Sequence, residues 1–174
     1  KSRIFENQTK EDFAIINYDD PAVKKMSESL KSQIIFFSRK EKLEKGIYIE
    51  DGIIKYADSS CTRDIISREE VFLKGGHNLE NVMATIGLCI AAGIDQEVMK
   101  RVLREFRGVE HRLELVDCID GVEFINDSKG TNTDSSIKAL EAYDHDVILI
   151  AGGYDKKAEF GDFVKMFSGR VKHA

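Results

Sequence analysis

Two short apolar runs fix how this chain must begin to fold. Phe13–Asn17 reads Phe-Ala-Ile-Ile-Asn, and Gln33–Ser38 carries the unbroken core Ile34-Ile35-Phe36-Phe37. Each is too short for a buried helix and suits a strand covered on both faces. Between them stand Asp20 and Pro21, the only proline in the chain. An acidic N-cap with proline at the first helical position predicts a helix, here to about Leu30. Strand, helix and strand in that order predict a βαβ unit and an α/β fold.

The next segment has a different period. Ile47-Tyr48-Ile49 and Ile53-Ile54-Lys55-Tyr56 flank Asp51-Gly52, which predicts a hairpin. Arg63–Ser67 and Val71–Leu73 are expected to add strands, making a small antiparallel edge or appendage without chemistry. From Asn78 to Ala92, Leu79, Val82, Met83, Ile86 and Ile90 fall at helical spacing, with Gly93 as the stop. Leu88, Cys89 and Ala91 on its other faces predict burial on most sides. Asp95 then caps a helix through Val98, Val102, Leu103 and Phe106 to Gly108. Leu113–Ile119 and Val122–Ile125 predict a second hairpin at Asp120-Gly121. A helix to about Tyr143, a buried strand Val147–Ala151 and a helix from Phe160 to Phe167 follow. A domain boundary is expected near residues 74–76 or 108–112.

The bulk composition narrows the function. The formal charge of -5 argues against a general nucleic-acid surface. No apolar run approaches a membrane span, and no signal-peptide core follows the opening residues. Cys61, Cys89 and Cys118 are widely spaced, so a disulfide framework or zinc site is not expected, and reducing cytoplasm is the natural setting. The chain opens without Met and stops where another strand would start, so a piece of a longer protein is expected.

Several positions could carry chemistry. Asn78 and Asn81 lie three apart on one helix face, where two carboxamides could read the edge of a flat heterocycle such as adenine. The plainer alternative is a cap and a first-turn residue. Arg112 could grip phosphate through its fork, or pair on the surface with Glu110 or Glu114. The run Asn126-Asp127-Ser128-Lys129-Gly130-Thr131-Asn132 sits between a strand and a helix. Asp127 could accept both hydroxyls of a ribose, Lys129 could meet a carboxylate or phosphate, and Thr131 adds a hydroxyl. The alternative is a solvated helix entry capped by Thr133 or Asp134. Gly152-Gly153 permits close backbone approach, and Lys156 follows in the same loop. The pattern G-x-x-x-x-G-K-[ST] is absent, so a loop wrapping nucleotide phosphates is not in these residues.

Taken in order, His77-Asn78-Leu79-Glu80-Asn81, Phe106-Arg107-Gly108-Val109-Glu110-His111-Arg112-Leu113-Glu114, residues 126–132 and Gly152-Gly153-Tyr154-Asp155-Lys156 resemble the Mur ligases in sequence and spacing. Asp-Ser-Lys-x-Thr-Asn with a preceding His-Arg-x-Glu is similar to the members that add D-glutamate. The opening, residues 4–8 through 17–20, also resembles the end of the family's central domain. The resemblance covers essentially the whole chain.

It implies an α/β fold: a partial central ATPase domain over residues 1–108, then a partial Rossmann-like C-terminal domain over 109–174. The implied chemistry is ATP-driven amide formation with Mg2+. The carboxylate of UDP-N-acetylmuramoyl-L-alanine takes the γ-phosphoryl group. The amine of D-glutamate attacks the acyl phosphate through a tetrahedral intermediate, and phosphate leaves. By position, Asn78 and Asn81 would hold adenine, Arg112 phosphate and Asp127 ribose. Lys129, Thr131 and Lys156 would hold the D-glutamate carboxylates, with domain closure drying the site. The resemblance places the UDP-binding domain, the phosphate loop, the metal ligands and a carbamylated lysine outside these residues, so the chain alone is expected not to turn over. Gly130 stands where alanine is common, and a looser loop is the expected result. The alternatives are another amino-acid-adding Mur ligase, a folylpolyglutamate-synthase-like ligase, or a noncatalytic nucleotide-binding module.

Overall fold

The computed structural model describes residues 2–73, 75–154 and 158–174. The chain divides into two compact units: Lys1–Leu73 with Asn78–Phe106, and Lys74–His77 with Arg107–Ala174.

Unit 1 is built on one five-stranded sheet. β1 (Phe13–Asn17) and β2 (Gln33–Ser38) pair in parallel, with Phe13 opposite Gln33 and Asn17 opposite Phe37. The crossover is α1 (Pro21–Ser27), one turn shorter than the sequence suggests. Asp20 accepts the N–H groups of Ala22 and Val23 at 2.9 and 3.1 Å, and Pro21 has no N–H to leave unpaired. Asp20→Ala should therefore cost unit 1 about 1 kcal/mol, read as a lowered urea midpoint at unchanged slope.

β3 (Gly46–Glu50) lies parallel to β2 and antiparallel to β4 (Ile53–Ala57). Asp51 and Gly52 turn between them with φ of 52° and 73°, as a two-residue hairpin of this hand requires. β5 (Thr62–Ser67) completes the sheet. Of the edge or appendage expected, the edge is found: the antiparallel strands continue the parallel sheet through β3 in the order β1-β2-β3-β4-β5. Val71–Leu73 forms no strand. Arg68 instead donates to the carbonyls of Val71 and Leu73, at 3.0 and 2.8 Å.

α2 (Gly76–Ala91) and α3 (Gln96–Glu105) supply the core. Leu79, Val82, Met83 and Ile86 of α2, with Met99 and Leu103 of α3, bury against Phe37, Ile47, Ile54 and Ile65. Each such side chain contributes about 1.5–3 kcal/mol. Gly87 lets α2 come close, because a Cβ there would meet Ile15 Cγ2 at 2.8 Å. The opposite sheet face is covered by a smaller cluster of Leu43, Tyr48 and Ala57. One expectation fails here. Leu88 is 59% exposed, so α2 is not buried on most sides. Val98, Val102 and Phe106 are also exposed, so only part of the α3 apolar pattern meets the core.

Unit 2 alternates strands and helices. β6 (Glu114–Ile119) and β7 (Val122–Asn126) form an antiparallel hairpin turned by Asp120 and Gly121. α4 (Thr133–Leu140) follows, then β8 (Val147–Ile148), α5 (Gly161–Lys165) and β9 (Val171–His173). β8 and β9 pair in parallel, a second strand–helix–strand unit. The run Val147–Ala151 is not a buried strand: only its first two residues pair, and Ile150 is 96% exposed. β7 is not buried either, since Val122 and Phe124 face solvent.

Candidate functional site

The site in unit 2 is laced together by two loops. Asp127 is the first residue after β7, and its Oδ1 accepts the N–H of Leu113 at 3.1 Å. The Lys129 N–H donates to the His111 carbonyl at 3.0 Å. Asn126 Nδ2 lies 2.9 Å from His111 Nδ1 and 3.3 Å from Glu114 Oε2. Glu114 also accepts the His111 N–H at 2.7 Å. These bonds hold His111 and Leu113 at φ of 67° and 46°, a left-handed backbone that non-glycine residues adopt at a cost. Arg112 stands between the two.

Arg112, Asp127 and Lys129 are brought to one hollow of about 470 Å³, which lies wholly within unit 2. His77, Asp134, Ser135 and Lys138 share its wall. Asn132, not Thr133 or Asp134, caps α4, accepting the Ser135 N–H at 2.8 Å. The cap is set by the extended backbone of Asn132, which residue type alone does not reveal. Glu114 engages His111 rather than Arg112.

The glycine in this loop does more than loosen it. A Cβ on Gly130 would stand 2.5 Å from Asp127 Oδ2 and 3.0 Å from the Asp127 carbonyl oxygen. Gly130 gives the carboxylate room to lie across the loop, and its own N–H binds the Asp127 carbonyl at 2.8 Å.

The remaining predicted positions are placed differently. Thr131 is exposed and not among the residues lining the hollow. Lys156 lies outside the described residues. Asn78 is buried in the first turn of α2 and Asn81 is exposed one turn on, both in unit 1. Sequence reasoning missed Lys138 and gave Asp134 only a capping role. The available signal was spacing: Asp134, Ser135 and Lys138 share one face of the helix that leaves the loop.

His77 has its own electrostatics. Its Nδ1 is buried with no hydrogen-bond partner among the described residues. Burial first, then the positive charges of Arg112 and Lys138, hold its pKa below the ordinary histidine value, against the pull of Asp127 and Glu141. The unfolded chain then binds the extra proton more readily. Stability present above the unfolded value of about 6.5 is lost as pH falls through it. Wild type should therefore lose more of its denaturant midpoint between pH 7.5 and 5.5 than His77→Asn. The other three histidines are common to both proteins, so equal losses would sink the point.

A second hollow, about 320 Å³, opens in unit 1 where β2 and β3 stand apart ahead of their two paired positions. Ile34, Phe36, Lys45 and Gly46 line it, and it gathers no comparable set of charges.

Residues 1–89 match the Mur ligase middle domain. The chain belongs to the Mur ligase family. Across 99% of its length it is 46% identical to the UDP-N-acetylmuramoylalanine–D-glutamate ligase of Alkaliphilus oremlandii. Against the enzymes of that name from Thermoanaerobacter sp. and Clostridioides difficile the identities are 48% and 46%, again over 99% of the chain. The chain spans 38% of the length of each of these relatives. Two solved structures share the fold at low identity. One is the UDP-N-acetylmuramoylalanyl-D-glutamyl-2,6-diaminopimelate–D-alanyl-D-alanyl ligase of Acinetobacter baumannii, with TM-score 0.62 and 19% identity over 82% of this chain and 32% of that one. The other is a pseudomurein peptide ligase type C from Methanothermus fervidus, with TM-score 0.60 and 15% identity over 90% of this chain and 40% of that one. A mixed α/β build with a parallel-containing sheet is thus the Mur ligase fold.

Proposed function

We propose that this chain is part of a cytoplasmic ligase that joins D-glutamate to UDP-N-acetylmuramoyl-L-alanine at the expense of ATP, in peptidoglycan precursor synthesis. In this reading residues 1–108 belong to the central domain and 109–174 to the C-terminal domain. The observation that carries it is the convergence of Arg112, Asp127 and Lys129 on one hollow. The names of the relatives supply the substrates.

The chemistry of the groups supports that assignment. An ionised Asp127 accepts two hydroxyls, which suits the vicinal diol of a ribose. The planar Arg112 fork suits phosphate oxygens, and the Lys129 ammonium suits a carboxylate. Asn78 and Asn81 would read adenine, and Thr131 and Lys156 would join Lys129 at D-glutamate. The chain's share in the reaction is to position and neutralise. The barrier falls when acyl phosphate and amine are held at bonding distance, away from water. Among the described residues no three His, Cys, Asp or Glu side chains gather to hold a cation; in this reading the groups that would hold Mg2+ belong to other parts of the ligase. No described helix is long and apolar enough to cross a membrane.

The test is phosphate release by the whole ligase containing this sequence. Release should require ATP, D-glutamate and UDP-N-acetylmuramoyl-L-alanine together. Release driven by lysine or meso-diaminopimelate in place of D-glutamate would move the protein to a sister ligase. The 174 residues alone should not turn over.

A further inference from the structure

We infer that Lys138 is a further anion-binding residue of the hollow in unit 2, resting on Glu141 until a nucleotide phosphate draws it inward. The inference rests on the nucleotide reading of that hollow. No motif marks Lys138; its position in the fold does. Three cations line the cavity, Arg112, Lys129 and Lys138, against two carboxylates, Asp127 and Asp134. Among the described residues the side chains of Arg112 and Lys129 form no ion pair, so each can turn to a ligand.

Lys138 differs from those two in being parked. Its Nζ lies 2.8 Å from Glu141 Oε2, with side chains 54% and 39% exposed. An open i,i+3 pair of this kind is weak, so exchanging Glu141 for a phosphate oxygen costs little. The reach is short. Lys138 stands one turn beyond Asp134 and Ser135 on the α4 face that lines the hollow. Its charge is already felt by the His77 imidazole on the same wall. A phosphate bears more charge than a single carboxylate and can take Arg112 and Lys138 together. Asp127 lines the same hollow and is left for the ribose of that ligand.

Nuclear magnetic resonance titration of the 15N-labelled whole ligase containing this sequence tests this, with ADP, adenosine and D-glutamate in separate arms. ADP should shift the signals of Lys138 and Glu141 together with those of Arg112 and Asp127. Adenosine, which lacks phosphate, should shift Asp127 without Lys138. K138Q should weaken ADP about threefold to tenfold and leave adenosine unchanged. E141Q should tighten ADP about twofold to threefold, because the competing carboxylate is gone; a merely structural ion pair gives no such gain. K165Q removes a cation from the exposed Asp162 pair on α5 and should change nothing. If ADP shifts Arg112 and Asp127 but K138Q binds like wild type, the role of Lys138 falls and the nucleotide reading stands. If Lys138 answers to D-glutamate and not to ADP, the phosphate assignment falls. If ADP moves none of the four residues, both readings fall.

Discussion

Gly46→Ala is expected to destabilise unit 1 by about 3–5 kcal/mol, the sum of a strained backbone and an overpacked contact. Gly46 opens β3 with φ of 124°, a conformation reserved for glycine. A Cβ there would run into the Phe36 carbonyl oxygen and come within 3.1 Å of Leu43 Cδ1. The first obstacle is backbone, so no rotamer change removes it. Either β3 shifts or β2 does, and both break the Phe37–Ile47 and Ser38–Tyr48 pairing that joins the two halves of the sheet. Gly52→Ala is the internal control. Its φ of 73° is also left-handed, yet a Cβ there meets nothing within 4 Å. It should cost only about 1 kcal/mol. Urea unfolding of the three proteins decides the matter, and near-equal midpoints for the two variants would refute the role given to Phe36.

The second large effect is expected at Asp127. Asp127→Ala removes the acceptor proposed for ribose and also frees the Leu113 N–H, which holds the strained turn carrying Arg112. Two functions lost at one residue should lower kcat/KM of the whole ligase for ATP about a hundredfold, near 2.7 kcal/mol. Asp127→Asn keeps an oxygen for Leu113 and loses the charge, so it separates the roles and should be less severe. Near-wild-type turnover by Asp127→Ala would remove Asp127 from the nucleotide site.

Local chemistry was legible where one residue decides the geometry. Asp20-Pro21, Asp51-Gly52, Asp95 and Asp120-Gly121 each do what their side chains or φ preferences dictate. Burial was less legible. Val147–Ala151 is as apolar as Ile34–Phe37, and Val122–Ile125 is apolar but for Glu123, yet apolarity states only that a strand needs cover. Which residues provide that cover is set by tertiary partners, and the described residues of unit 2 bury few large side chains, Leu140 and Phe163 among them. The site was legible in part. Asp127, Lys129 and Arg112 stood out as polar groups beside strands. Lys138 did not, because its one signal, helical spacing from Asp134 and Ser135, says which face it shares and not what that face meets.

The change of strand direction at β3 has a consequence for assembly. From β3 to β5 each strand meets its neighbour across a short turn, whereas Phe13 meets Gln33 only after a whole crossover. Loop-closure entropy grows with the logarithm of length, so joining β1 to β2 costs about 2 kcal/mol more than closing the Asp51-Gly52 turn. The three-stranded meander is accordingly the cheaper nucleus, onto which the parallel pair condenses through the two rungs at Phe37 and Ser38.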